Sequence, residues 1–182
     1  MKKIFLKNEK AIIIVILIVF GVSYRILDYP PNFTPIVAIA MFGSYYFRGY
    51  LFFLLPISIM LVSDFFIGFY EWKIMLSIYL SIALISFFGL MIRKKYSVSN
   101  IVQWSFLASL VFFVISNTAV WLFTSWYPSS LSGLLECFYL AIPFFKNTLA
   151  GDMFFNTSFF GAYAFYNYYK HKVQESNVEV II

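Results

Sequence analysis

Residues 50–69 read YLFFLLPISIMLVSDFFIGF, an unbroken apolar run whose one charge, Asp64, stands near its end. About 20 such residues is what a helix needs to cross a hydrocarbon core of about 30 Å. The run is continuous, not alternating, and an open sheet cannot satisfy its backbone in lipid, so the spanning element it predicts is a helix. Asp64 is the anomaly. An ionised carboxylate at the centre of a bilayer helix costs about 2.5–3.5 kcal/mol. A second run, residues 147–163, NTLAGDMFFNTSFFGAY, carries Asp152 in the same way. A chain holding two such groups must neutralise them or use them.

The wider composition agrees with a membrane chain. Hydrophobic residues make up 62% of the 182, and the mean hydropathy is +0.84. Charged residues are 12%, against about 25% in soluble domains. Six apolar segments follow: residues 5–24, 34–47, 50–69, 73–92, 101–123 and 147–169, with a polar tail over 170–182. They predict one all-α integral membrane domain, residues 1–182, with six transmembrane helices. The first segment imitates a signal peptide, with small residues at Gly21 and Ser23. We read it as a retained helix, because cleavage would leave an odd number of spans.

The basic residues orient the bundle. Lys2, Lys3, Lys7, Lys10, Arg48, Arg93, Lys94, Lys95, Lys170 and Lys172 fall on one side, and only Arg25, Lys73 and Lys146 on the other. The positive-inside rule then puts both termini in the cytoplasm, giving a multi-pass protein of a bacterial inner membrane. Trp72, Trp121 and Trp126 gather at the outer interface and Trp104 at the inner one. Because the cations lie between hydrophobic segments, the net charge of +5 reads as an orientation signal, and no nucleic-acid partner is expected. Between the fifth and sixth segments, LSGLLECFYLAIPFF reads as an interfacial or re-entrant helix over the outer mouth. The alternative is a seventh short span.

Several chemistries are unsupported. The single cysteine, Cys137, excludes an internal disulfide. The lone histidine, His171, lies in the polar tail. No Cys/His cluster has metal spacing, and no Gly-rich phosphate loop is present, so no cofactor, metal or intrinsic ATPase is expected. No nucleophile–base arrangement marks an enzyme. Gly151-Asp152 resembles half of an intramembrane aspartyl protease motif, but Ala150-Gly151-Asp152 is preceded by Leu149, where that motif carries its first glycine.

What the sequence does offer is polarity at one depth. Arg25, Asp28, Asn32 and Thr34 lie at the first outer connection. Ser63 and Asp64, Asn117 and Thr118, and Asn147, Thr148 and Asp152 occupy the same level on three helices. Intramembrane polar groups face a bundle interior or a wet cavity. Arg25, Asn32, Asp64, Asn117, Trp121, Asn147 and Asp152 are therefore the expected ligand-binding set, with Arg25 neutralising a carboxylate and the loop over residues 30–35 covering the mouth. Two carboxylates and one cation lean toward a neutral or cationic ligand. The aromatics Phe65, Phe66, Tyr70, Trp121, Tyr127, Phe144 and Phe145 would stand near the mouth. The alternative is a packing network in which Asp64 or Asp152 pairs with Arg25 and holds helices together. Ala38, Ala40, Gly43 and Ser44 form a small-residue face that admits a close helix neighbour, either internal or on a docking partner.

The stretches PPNFTPIVAIAMFGSYYF, SDFFIGFY, SNTAVWL and YPSSLSGLLECFYLAIPFFKNTLAGD resemble an uncharacterised family of small bacterial membrane proteins, over about residues 25–161. That family is in turn similar to the substrate-binding subunits of energy-coupling-factor transporters. The resemblance implies capture of a micronutrient at the outer face, and association with a transmembrane coupling protein and cytoplasmic ATPase subunits. Such subunits dock through small residues on their first helix. Here the first helix offers only Ala11 and Gly21, and the small residues stand on the second.

Overall fold

The computed structural model describes residues 2–27 and 30–179, with side chains for 9–27, 30–170 and 172. Asp28 and the side chain of His171 lie outside the described residues. The described residues form six helices: α1 (Lys2–Ile26), α2 (Ile36–Tyr46), α3 (Leu51–Ile67), α4 (Trp72–Lys94), α5 (Val98–Phe123) and α6 (Leu131–Glu179). Two of them, α4 and α5, are long and apolar enough to cross a membrane.

Local chemistry sets most of the boundaries. Pro30 and Pro31 follow α1, and Pro35 opens α2, where a missing N–H costs nothing. The Glu71 side chain accepts from the Lys73 amide at the start of α4, and Ser97 accepts from Asn100 at the start of α5. Gly68 ends α3 at φ 112° and ψ 141°, a region closed to side chains bearing a Cβ. Gly68→Ala is expected to lower stability by about 1–3 kcal/mol, read as an earlier thermal unfolding midpoint in detergent.

The shortest helix is the most enclosed. Residues Ile36 through Ser44 of α2 are all buried, as expected of a helix that is apolar all round. It packs on α3, α4 and α6, and touches α1 and α5. Its eleven residues span only about 16 Å, so the expected second crossing, residues 34–47, is too short to traverse a bilayer alone. Its C-terminus is closed from outside. Arg93 Nε donates to the Tyr45 carbonyl at 2.7 Å, and Nη2 donates to the carbonyls of Ser44 and Phe47. A cation on the last carbonyls of a helix also complements its dipole.

Two expectations are corrected here. LSGLLECFYLAIPFF is neither an interfacial helix nor a separate span, but the first part of α6, which runs 49 residues, about 73 Å at 1.5 Å per residue. Ser130 caps it by accepting from the Gly133 amide. Phe138 and Phe145 pack on Phe113 of α5, and Cys137 lies against the Asn117 carbonyl. This apolar seam carries the helix through Pro143. The second correction concerns Ala38, Ala40, Gly43 and Ser44. All four are buried inside the chain, so they pack internally and offer no surface to a docking partner.

Candidate functional site

The site is built at the end of the bundle where α4 begins and α5 ends. Arg25, in the last turn of α1, reaches across to α3. Its Nη2 lies 2.8 Å from Asp64 Oδ1, and its Nη1 donates to the Met60 carbonyl and to Ser63 Oγ. From α4, the Tyr79 hydroxyl donates to the other carboxylate oxygen, Asp64 Oδ2, at 2.7 Å. Asp64 is 1% exposed. Three helices are thus tied through one carboxylate, whose charge is matched by a guanidinium and whose lone pairs are engaged.

Beside this knot lies a cavity of about 270 Å³. Its polar wall is Arg25, Asn32, Thr34, Tyr70, Thr148 and Asp152, and Met60, Ile78, Ile82 and Phe112 supply apolar surface. The first turn of α2, Ile36 and Val37, completes it. A smaller lobe of about 190 Å³ shares Asn32, Ile78, Phe112 and Thr148, and continues toward Ser116, Asn117, Val120 and Phe144. The two form one cleft of mixed lining, with the ionisable groups, Arg25 and Asp152, at one end and the uncharged Ser116 and Asn117 beside Phe113, Val120 and Phe144 at the other. At the Arg25–Asp152 end Tyr70 has its phenol pushed up to about 12 by burial and by Asp64, so it stays a neutral donor at physiological pH.

Asp152 differs from Asp64. It is 2% exposed, and its Oδ2 accepts from Ser109 of α5 at 2.6 Å. No cation among the described residues pairs with it; the one ion pair there is Arg25–Asp64. The backbone comes close to this turn of α6. A methyl on Gly151 would stand 3.2 Å from Phe33 Cα and Thr34 N. That approach brings Asn32, held at φ 65°, and Thr34 to the cavity. Asn147 Nδ2 donates to the Pro31 carbonyl at 3.0 Å and pins the same segment.

The expected site residues therefore divide. Arg25, Asn32 and Asp152 line the larger lobe and Asn117 the smaller one. Asp64 sits behind Arg25. Asn147 holds the 30–35 segment, which packs Phe33 on Phe154 and Phe155 and lends Asn32 and Thr34 to the cavity wall. Trp121 lines neither lobe; its Nε1 donates to the Pro128 carbonyl and ties the end of α5 to the start of α6. Phe65 and Phe66 point outward, 72% and 65% exposed. Sequence reasoning missed Tyr79, Ser109 and Phe112. Their spacing on α4 and α5 carries no signal until the helices are laid side by side.

A six-helix, all-α bundle with two helices fit to cross a membrane and a polar cleft at one end defines the class. The chain belongs to a family of unknown function, DUF6580, whose pattern covers residues 5–176. No curated protein and no solved structure matches it.

Proposed function

We infer that the protein is the substrate-binding membrane subunit of a micronutrient importer of the energy-coupling-factor kind, in a bacterial cell membrane. Six helical segments would sit in the bilayer with both termini cytoplasmic and the cleft opening outward. The observation that carries this reading is the cleft itself, where polar side chains converge inside a bundle whose outside is apolar. Ile12, Ile16, Val19, Leu61, Leu80, Leu84, Val102 and Phe106 are exposed, and Asp64, Asp152, Asn156 and seven hydroxyl side chains are buried. That inversion suits a lipid surround. The α2–α3 and α4–α5 turns carry Arg48, Arg93, Lys94 and Lys95 at the end opposite the cleft, which supports a cleft facing outward. With α2 so short, the non-helical segment before it enters the bundle. Irregular backbone is tolerated at membrane depth where it lines a cavity.

Binding would fall to Arg25, Asn32, Asn117 and Asp152, joined by Thr34, Tyr70 and Thr148. A coupling protein would have to dock elsewhere than on the buried face of α2. A second reading, a structural or assembly protein with no transported ligand, draws on the Arg25–Asp64–Tyr79 knot, which is a helix-joining network in its own right. Enzymatic use of the two aspartates is disfavoured, since each is engaged by different partners and no hydrogen bond joins them.

Affinity purification in mild detergent from the native host, followed by mass spectrometry, tests the proposal. The expected result is co-recovery of an integral membrane coupling protein with ATPase subunits. Recovery of the chain alone across detergents and growth conditions would favour the structural reading.

A further inference from the structure

Resting on the binding-subunit reading, the charges around the cleft specify what it takes. Of the residues lining the larger lobe, Arg25 and Asp152 are ionisable; the smaller lobe has no such group. Arg25 is committed to Asp64, Ser63 and the Met60 carbonyl, and so offers no free cation to a ligand anion. Asp152 has only the Ser109 hydroxyl. One helical turn along the same face, Asn156 buries an Oδ1 that has no partner. Asn156 lines neither lobe, so the unmet demand at the cleft is that of the Asp152 carboxyl, for donors and for positive charge. A carboxylate buried without a counter-ion is costly, and a counter-charge delivered by a ligand is what makes the ionised form favourable there.

We propose that the cleft binds an organic cation, a protonated amine or cationic ring nitrogen on an apolar or aromatic body, with Asp152 as its counter-ion. The cationic centre sits between Asp152, Thr148 and Thr34. Phe112, which lines both lobes, presents a ring at the junction, and a cation over an aromatic face is attracted by its quadrupole. The body of the ligand extends into the smaller lobe among Ile78, Phe113, Val120 and Phe144, with Ser116 and Asn117 able to meet a polar substituent on it. An inorganic cation would leave the Phe113, Val120 and Phe144 side chains of the smaller lobe unused, and an anion would lie beside the Asp152 carboxyl while Arg25 is already paired with Asp64.

The test uses the full chain in lipid nanodiscs and matched probes of one shape: benzylammonium, phenethylammonium and N-methylpyridinium as cations, benzyl alcohol as the neutral body, and benzoate as the anion. Saturable thermal stabilisation is expected from at least one cation, with apparent affinity at least tenfold above benzyl alcohol, and none from benzoate. Asp152→Asn should abolish that preference, and Ser109→Ala should weaken it several-fold. The charge preference of the native chain stands as a test even if Asp152→Asn fails to fold. Tighter binding of the alcohol or of benzoate overturns the cation assignment but leaves a binding subunit. Failure of every probe, whatever its charge, overturns the cation assignment too. If coupling subunits nevertheless co-purify, the importer reading survives that failure.

Discussion

Arg25→Ala is expected to cost about 3–5 kcal/mol of stability, the range for breaking a buried ion pair by removing one partner. The guanidinium is the counter-charge of Asp64, which is 1% exposed and keeps only the Tyr79 hydroxyl once Arg25 is gone. The measurement is thermal unfolding of the detergent-purified protein alongside the folded yield. Arg25→Lys should recover only part of the loss, because a point charge cannot serve Asp64, Ser63 and the Met60 carbonyl together. Joining Arg25→Met to Asp64→Leu should recover most of it, since removing both partners leaves no stranded charge. A native unfolding midpoint for Arg25→Ala would show that the pair holds nothing together. The same reasoning separates the two aspartates. Asp64→Asn removes half of an ion pair and should damage folding. Asp152→Asn removes a carboxylate that has no cation, and should damage binding with little loss of stability.

How far the sequence carried depended on what each feature needs in order to be seen. The α4 and α5 helices were legible because each is one apolar run opened by a local cap, Glu71 or Ser97, and closed by a polar or turn segment. The first part of α6 was not. Pro128, Pro143 and the charges of Glu136 and Lys146 read as interruptions, and what overrides them is the seam with Phe113 and Asn117 of α5, a contact between residues about twenty or more apart. The small residues of α2 announced a close helix neighbour without saying whose. The site divides similarly. Arg25, Asn32 and Asp152 stand out as polar groups in apolar surroundings. That Arg25 reaches Asp64 and not Asp152 is decided by how α1 lies against α3, which no spacing records.

The contact that fixes α2 yields the other large effect. Gly89 of α4 faces α2, where an added Cβ would fall well inside contact distance of the Met41 carbonyl oxygen and 2.7 Å from Ser44 Oγ. Ser44 can rotate away, but Met41 offers backbone, so the whole of α2 would have to move. That helix is wedged among all five others, and a packed interior has no slack to receive it. Gly89→Ala is therefore expected to cost about 3 kcal/mol, the upper part of the range for overpacking. Gly89→Leu should prevent accumulation of folded protein. Gly161→Ala is the control: its Cβ would meet nothing within 4 Å, and in an exposed helical position it should gain up to about 1 kcal/mol. Unfolding midpoints of the three variants decide the matter, and equal midpoints for Gly89→Ala and the native chain would mean that α2 does not lie on α4 in this register. Because Ile36 and Val37 at the start of α2 form part of the cleft wall, any Gly89→Ala protein that does fold should also bind more weakly, although Gly89 itself touches no part of the cleft.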